Sequence, residues 1–174
     1  MPALTRRIAA AAAIASLAAA APATAAHHPS QATPPDISDA TFLAKSSQSN
    51  RFEIASGALA VQRGRSRAVR RLGRQFRVHH TMALAQGSAV AEKLGIAVPA
   101  GLDAKQQATV DRLGTLRGKR FDRAWLKAQK IAHTDAIVLH LRGALRGDSD
   151  DVRTLAIKAL PVVAQHLGEL DATR

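Results

Sequence analysis

Four residues, spread along most of the chain, are candidate ligands of a transition metal: Glu53, His80, His133 and His166. Three imidazoles and a carboxylate form a ligand set that suits Zn²⁺, Cu²⁺, Mn²⁺ or non-haem iron. The chain contains no cysteine, which excludes a thiolate site. The sequence therefore offers one transition-metal ion as a candidate cofactor, with these four residues as candidate ligands.

Two further residues are secondary candidates for the same site. Glu169 follows His166 by three positions, so both side chains lie on one face if the segment is helical. Its carboxylate could bind the metal or accept a hydrogen bond from the histidine. His79 directly precedes His80 and lies at the border of the same face.

An alternative explanation of the four residues needs no metal. Buried polar groups require partners, so a buried Glu53 would accept hydrogen bonds from the histidines and fix the register of the helices. We expect this polar network first, with a mononuclear metal site as its alternative. A di-iron centre is disfavoured, because the Glu-x-x-His motif that such bundles carry on two helices is absent.

The elements that position these residues are predicted to be long helices. Residues 66–94 carry small or apolar residues at steps of four and three, which is the spacing of one helix face. His80 lies in the middle of that stripe. Similar stripes predict helices over residues 38–63, 122–146 and 150–171, and Pro161 should kink the last of them. The predicted inward residues include Ser46, Asn50, Glu53, Gly57 and Ala60, then Val69, Gly73, Phe76, His80, Ala83, Gly87, Val90 and Leu94, then Leu126, Gln129, His133, Ala136 or Ile137, His140 and Ala144, then Val152, Leu155, Ala159, Val162, His166 and Leu170.

The connections between these helices predict their arrangement. Gly64 should end the first helix in the C′ position and Ser66 should cap the second. The connection is short, so these two helices are predicted to be antiparallel neighbours. Residues 96–119 are longer, with a capping box that begins at Asp103 and a stop at Gly118. Such a connection can run the length of a bundle. We therefore predict an all-α, ferritin-like four-helix bundle whose crossover carries a short extra helix. The sequence contains no short internal repeat or heptad array.

The N-terminal residues predict export. Arg6 and Arg7 precede an apolar segment of signal-peptide length, and Ala23-Thr24-Ala25 resembles a cleavage site. We predict a cleavable signal peptide over residues 1–25, a disordered linker over 26–36 and one bundle domain over 37–172, in a periplasmic or secreted protein without a transmembrane span. Cleavage after Ala25 would expose Ala26-His27-His28, a terminus able to bind Cu(II) or Ni(II).

Basic residues dominate the charge of the chain. It contains 25 Lys and Arg against 13 Asp and Glu, for a net charge of +12. One basic cluster runs from Arg63 to Arg77 and a second from Lys119 to Lys130. Such surfaces attract anionic cell-envelope polymers or lipid headgroups. Nucleic acid is a poor match, because export removes the protein from most of it and no aromatic stacking platform accompanies the arginines.

The order of several residue pairs along the chain resembles a known family. The pattern contains Phe42-Leu43, Glu53-Ile54, Gly57-x-Leu59-Ala60, Phe76 with His80-Thr81, Phe121-Asp122, His133 and Leu160-Pro161 with His166-Leu167. It looks like the exported bacterial family of unknown function numbered 4142. The resemblance implies a ferritin-like bundle and export but no reaction. Where that family usually has Asp before the second-helix histidine, this chain has His79.

Function is therefore narrowed to two classes. The first is a non-enzymatic envelope protein whose buried Glu/His cluster could bind a metal ion. The second is a metalloenzyme, redox or peroxide-handling, that uses the same cluster. An enzyme would need an open ligand position on the metal and a path to it.

Overall fold

The computed structural model describes residues 37–173. Within that range the chain forms five α-helices and no strand, which confirms the all-α prediction. No helix in this part of the chain has the length and apolar character that spanning a membrane requires. The helices are α1 (Asp39–Arg63), α2 (Arg67–Lys93), α3 (Ala104–Thr115), α4 (Gly118–Arg146) and α5 (Asp150–Asp171).

The four long helices form a bundle with a crossover. α1 packs mainly on α2, and α4 packs mainly on α5. The start of α1 meets the residues beyond the end of α4, where Asp39 bonds to Asp148. The end of α2 meets the start of α5, where Lys93 pairs with Asp151 at 2.8 Å. Neighbouring helices are thus antiparallel, and α2 and α4 run in the same direction. The connection that contains α3 must span the bundle, as predicted.

The two tight turns of the bundle have the same sequence pattern and the same hydrogen bonds. Residues 63–70 read RGRSRAVR and residues 146–153 read RGDSDDVR. In each turn the serine hydroxyl accepts from the backbone N–H of the valine, at 3.0 and 3.2 Å. In each the last arginine donates to the carbonyl of the glycine. The turns of the α1–α2 and α4–α5 hairpins are therefore built in the same way.

Each turn is held by an aspartate at the start of the other hairpin. The Asp122 carboxylate accepts from the backbone N–H groups of Arg65 and Ser66 at 2.8 and 2.9 Å. Asp39 does the same for Asp148 and Ser149, at 2.9 and 3.1 Å. The backbone N–H groups at both turns thereby gain charged acceptors, which make stronger hydrogen bonds than neutral ones.

Two predicted helix ends differ in the structure. The fourth helix was expected to begin near Asp122 but begins one turn earlier at Gly118, where a φ of 61° favours glycine. Gly64 was expected at the C′ position, but it is the C-cap residue of α1, with a φ of −62°. Glycine fits there because a Cβ would lie 2.5 Å from the carbonyl oxygen of Ala60. The capping box of α3 at Asp103 is confirmed.

The buried stripes agree with most of the predicted ones. Two apolar clusters form the core, one around Phe76 and Trp125 and the other around Phe42 and Val152. The buried polar residues at the midpoints of the helices lie between these clusters. The departures are on three helices. On α5, Ala156 and Val163 are buried rather than the predicted Leu155, Ala159 and Val162. On α4, Gly143 is buried rather than Ala144, and the second half of the α2 stripe is only partly buried.

Glycines set the distance between α1 and α2. A Cβ on Gly73 would lie 2.6 Å from the Cβ of Ala60 and 2.8 Å from the carbonyl oxygen of Gly57. A Cβ on Gly57 would lie 2.8 Å from the carbonyl oxygen of Gly73. The two backbones therefore approach so closely at this point that neither position accommodates a side chain without movement of a helix.

Gly73→Ala is expected to lower the free energy of unfolding by about 1–3 kcal/mol, because the added methyl group overpacks a contact between two backbones. The measurement is urea unfolding followed by circular dichroism. Gly168→Ala on α5 is the matched control, since a Cβ there meets nothing within 4 Å. It should be neutral or slightly stabilising, because alanine favours helix over glycine. Equal effects of the two changes would contradict the close approach.

Candidate metal centre

Three histidines from three different helices meet in the middle of the bundle. His80 of α2, His133 of α4 and His166 of α5 each present one ring nitrogen, and these nitrogens all lie within 4.8 Å of one another. The side chains are 7%, 1% and 0% exposed. The structure thus brings together three of the four residues selected from the sequence, and their binding of a metal stays a prediction.

In the rings of His80 and His133, the hydrogen-bond partner of Nδ1 fixes the tautomer. His133 Nδ1 lies 2.9 Å from the carbonyl oxygen of Gln129, which can only accept, so Nδ1 carries the proton. His80 Nδ1 lies 2.8 Å from Asn50 Oδ1 and donates to it. Each Nε2 atom therefore carries no proton and has a lone pair that can accept a hydrogen bond or bind a metal. In the described part of the chain His80 Nε2 is buried with no hydrogen-bond partner.

His166 links the cluster to the surface. Its Nδ1 lies 3.3 Å from His133 Nε2, and its Nε2 lies 2.8 Å from His79 Nδ1. Since His133 Nε2 is an acceptor, His166 Nδ1 donates to it and His79 Nδ1 donates to His166 Nε2. His79 is half-buried and stacks on His166, with ring centroids 5.0 Å apart. A chain of three imidazoles therefore runs from the half-buried His79 into the cluster.

One distance between ring nitrogens of the cluster equals the distance expected between two ligands of a small metal ion. Nitrogens that bind a tetrahedral Zn²⁺ at about 2.0 Å lie about 3.3 Å from one another. His133 Nε2 and His166 Nδ1 are already at 3.3 Å. The ring nitrogens on the outer side bond to Asn50, Gln129 and His79. Metal-binding histidines usually have such outer partners, which hold the ring orientation and the tautomer.

The three clustered histidines, His80, His133 and His166, are uncharged at neutral pH. Burial lowers the pKa of His133 to about 4, although the hydrogen bond to the Gln129 carbonyl partly opposes this. Burial, together with the neighbouring His133 and His79, lowers the pKa of His166 to about 4. Burial and the other histidines lower the pKa of His80 well below its ordinary value. Neutral imidazole is the form that binds metals, so acid competes little with a metal here.

Glu53 lies beside the histidine cluster rather than in it. It is 1% exposed, and neither carboxylate oxygen has a hydrogen-bond partner among the described residues. Oε1 is 3.9 Å from His133 Nδ1, which donates to Gln129 instead. The expectation that Glu53 accepts hydrogen bonds from the histidines is therefore wrong. Burial raises the pKa of Glu53 to about 8, so the side chain is largely protonated at neutral pH.

Two amides have a larger role than the sequence suggested. Asn50 and Gln129 both lie on the predicted stripes, but neither stood out as a functional residue. The Asn50 side chain bonds to His80, and the backbone carbonyl of Gln129 accepts from His133. The Gln129 side chain lowers the pKa of Glu53 slightly, but its well-formed hydrogen bond goes to Ser56 at 2.9 Å. The available signal was that both amides lie on the buried stripes, where a polar side chain needs a partner.

The secondary candidates take different places. His79 joins the cluster through His166. Glu169 lies outside it, where its Oε1 accepts from Gln75 at 3.1 Å and from Gln165 at 3.0 Å. His140 is also separate: its Nδ1 donates to the Ala136 carbonyl oxygen at 2.7 Å.

Comparison with known proteins shows the family to which this chain belongs. The model of the domain of unknown function DUF4142 matches residues 8–173, nearly the whole chain. The chain belongs to the DUF4142 family. This confirms the resemblance drawn from the sequence pattern. Among curated proteins, none matches this DUF4142 chain.

Two solved structures have a similar fold. A DUF305 fragment from Deinococcus radiodurans has a TM-score of 0.69 at 17% identity and covers 77% of this chain and 93% of its own. CopM in the Cu(II)-bound form has a TM-score of 0.68 at 14% identity and covers 79% of this chain and 96% of its own. Both are helical bundles of the ferritin-like type, so the likeness confirms the predicted fold of this DUF4142 chain.

Proposed function

We propose that this protein binds one transition-metal ion through His80, His133 and His166 and holds it without turning over a substrate. The observation that carries the proposal is the meeting of three buried ring nitrogens within 4.8 Å. The free lone pair of His80 Nε2 adds to it, because a buried polar atom without a partner is rare unless a ligand completes it.

Copper is the first metal to test. Imidazole nitrogens suit Zn, Cu, Fe and Ni, and among divalent ions of the first row Cu²⁺ has the highest affinity for such sites. CopM, which is similar in fold, is described in its Cu(II)-bound form. Zn²⁺, iron and Mn²⁺ are the further ions to test. The absence of a carboxylate from the three-nitrogen group disfavours Mn²⁺, which prefers oxygen ligands.

His79 would act as a positioning residue. For His166 Nδ1 to bind a metal, its proton must move to Nε2. His79 Nδ1, 2.8 Å away, would then accept a hydrogen bond from that nitrogen. A neutral His79 can accept as readily as it donates. The ring of His166 therefore keeps its orientation in both tautomers.

The surroundings of the cluster favour holding a metal over catalysis. The Phe76 ring lies 4.5 Å from the His166 ring and 4.8 Å from the His133 ring, measured between centroids. A catalytic site keeps an open ligand position that the substrate reaches. A groove of about 860 Å³ lies between α1, α3 and α4, and none of the three histidines lines it. A redox or peroxide-handling metalloenzyme stays the alternative, supported by the fourth position that three ligands leave free.

The test is calorimetric titration of untagged, chelator-treated protein with Cu(II) and with Zn(II). We expect one equivalent to bind and to raise the melting temperature, since a ligand that binds only the folded state stabilises it. His133→Gln should lower the affinity about a hundredfold, in line with metal sites that lose key groups. His140→Gln is the matched control, because His140 is buried on the same helix and also donates to a carbonyl four residues earlier.

Two results would remove the proposal. One is the absence of stoichiometric binding by the chelator-treated protein, and the other is an equal loss from His133→Gln and His140→Gln. The predicted Ala26-His27-His28 terminus lies outside the described residues and could bind copper by itself. His28→Ala therefore accompanies each variant, so that copper bound at the terminus is not counted as copper in the bundle.

We further propose that the protein works in the periplasm or outside the cell. The proposal rests on the signal-peptide pattern of residues 1–25, and mass spectrometry of the mature chain tests it. Anionic envelope polymers or lipid headgroups remain the proposed partners of the Arg63–Arg77 cluster. Its arginines at 65, 67, 71, 74 and 77 are exposed, which supports this role. Cosedimentation with anionic vesicles at rising salt is the measurement.

A further inference from the structure

A groove of about 860 Å³ lies between α1, α3 and α4, apart from the histidine cluster. Its apolar lining includes Phe52 of α1 with Ala132, Ile131 and Leu139 of α4. The volume falls in the range of about 300–1,000 Å³ typical of sites for small molecules. Nothing in the proposed metal function uses this groove.

The groove leaves apolar surface uncovered. Ile131 and Val138 line it, yet they are 49% and 46% exposed. Large apolar side chains that lie together in a concave surface mark a binding site more often than single exposed ones do. An apolar occupant would cover both of them.

The rim of the groove is basic. It has five cations from three helices against two aspartates, Asp103 and Asp135. Asp103 already accepts from the backbone N–H of Gln106. Within residues 37–173 none of the five cations forms an ion pair. An anionic group therefore finds unpaired cations at the rim. The cations are Lys45, Lys105, Arg112, Lys127 and Arg142.

The length of the groove suits an extended chain. On α4 its lining extends from Lys127 to Arg142, which at 1.5 Å per residue is about 20 Å. The hydrocarbon core of a bilayer is about 30 Å thick and contains two acyl chains end to end, so one chain measures about 15 Å. A single acyl chain thus fits along the groove with its head at the rim.

We propose that this groove binds a long-chain fatty acid, with the acyl chain on the apolar floor and the carboxylate beside the cations of the rim. The apolar floor, the length and the unpaired cations each match a different part of that molecule. The proposal is independent of metal binding, and neither depends on the other.

The test is titration of the full chain with cis-parinaric acid, a fluorescent long-chain fatty acid. Ile131→Glu should weaken binding about tenfold or more, because it puts a charge against the acyl chain. Ile157→Glu is the matched control, since Ile157 is 56% exposed on α5 and does not line the groove. Ala132→Phe narrows the floor without adding charge and should also weaken binding. Circular dichroism checks the fold of each variant.

The carboxylate is tested with the methyl ester, which keeps the chain and loses the charge. The ester should bind about threefold more weakly, the size expected of an exposed ion pair. Absence of saturable binding, or equal affinities of Ile131→Glu and Ile157→Glu, would overturn the proposal. An ester that binds as tightly as the acid would overturn the role of the rim. A dimer in light scattering that Ile131→Glu converts to monomer would assign the groove to a second copy instead.

Discussion

Glu53→Gln is expected to raise the free energy of unfolding at pH 8 by about 4 kcal/mol, because each unit of pKa difference corresponds to about 1.4 kcal/mol. The pKa of Glu53 is raised from 4.5 to about 8 by burial. The unfolded chain therefore releases this proton at a lower pH than the folded protein does. Stability from this group is complete below pH 4.5 and is lost as the pH rises to about 8. Glutamine resembles the protonated acid and does not titrate.

The measurement is urea unfolding of both proteins at pH 5 and pH 8. The gain should be large at pH 8 and small at pH 5. The new amide can also donate toward Gln129 Oε1, which has no partner among the described residues. Glu92→Gln, a change of an exposed glutamate on α2, is the control and should show no such gain. If the difference in free energy of unfolding between Glu53→Gln and wild type is the same at pH 5 and pH 8, the ionised carboxyl of Glu53 does not oppose folding.

Acid is expected to unfold the metal-free protein before the pH reaches about 4. His133 and His166 have pKa values of about 4 when folded and 6.5 when unfolded. Between these pH values the unfolded chain binds more protons than the folded protein. The contribution of the two histidines to the free energy of unfolding is therefore fully present above pH 6.5 and is lost as the pH falls toward 4. The loss is about 3 kcal/mol for each histidine, which together is a large part of the 5–15 kcal/mol of a typical domain.

The two trends have opposite signs, and together they predict a maximum of stability near pH 6.5. Above it the Glu53 carboxyl lowers stability, and below it the histidines outweigh Glu53. Urea unfolding of chelator-treated protein from pH 4 to pH 8 measures this curve. His133→Gln should flatten its acid side. A curve that stays level between pH 6.5 and pH 4 would mean that the histidines take up protons without unfolding the protein.

The helices and their direction could be predicted from local signals. Ser66 and Asp103 cap helices where the sequence indicated, and the long connection before α4 required a crossover. The start of α4 could not be placed, because Asp122 is a good cap for its own helix. Its carboxylate instead bonds to the turn between α1 and α2, a contact between residues far apart in the chain.

The histidine cluster was largely predictable, but the place of Glu53 was not. A stripe in the sequence predicts which face of a helix is buried. It does not predict the axial position at which that face contacts the neighbouring helix. Asn50 and Glu53 share a stripe and lie about 4.5 Å apart along α1. The close approach of Gly57 and Gly73 sets the height of α1 against α2, and it brings Asn50 to His80. Glu53 is left without a hydrogen-bond partner among residues 37–173.

Because the two turns have the same pattern, the two hairpins can be compared position by position. The two hairpins are copies in the sense that Asp39, Gly64 and Ser66 of one correspond in spacing to Asp122, Gly147 and Ser149 of the other. With the same spacing, His133 corresponds to Asn50, His166 to Ala83 and His80 to Val163. The scaffold is alike in both halves, while the ligands are not. Each of the three histidines therefore corresponds to a residue without an imidazole in the other hairpin, so the candidate site is not symmetric between the two hairpins.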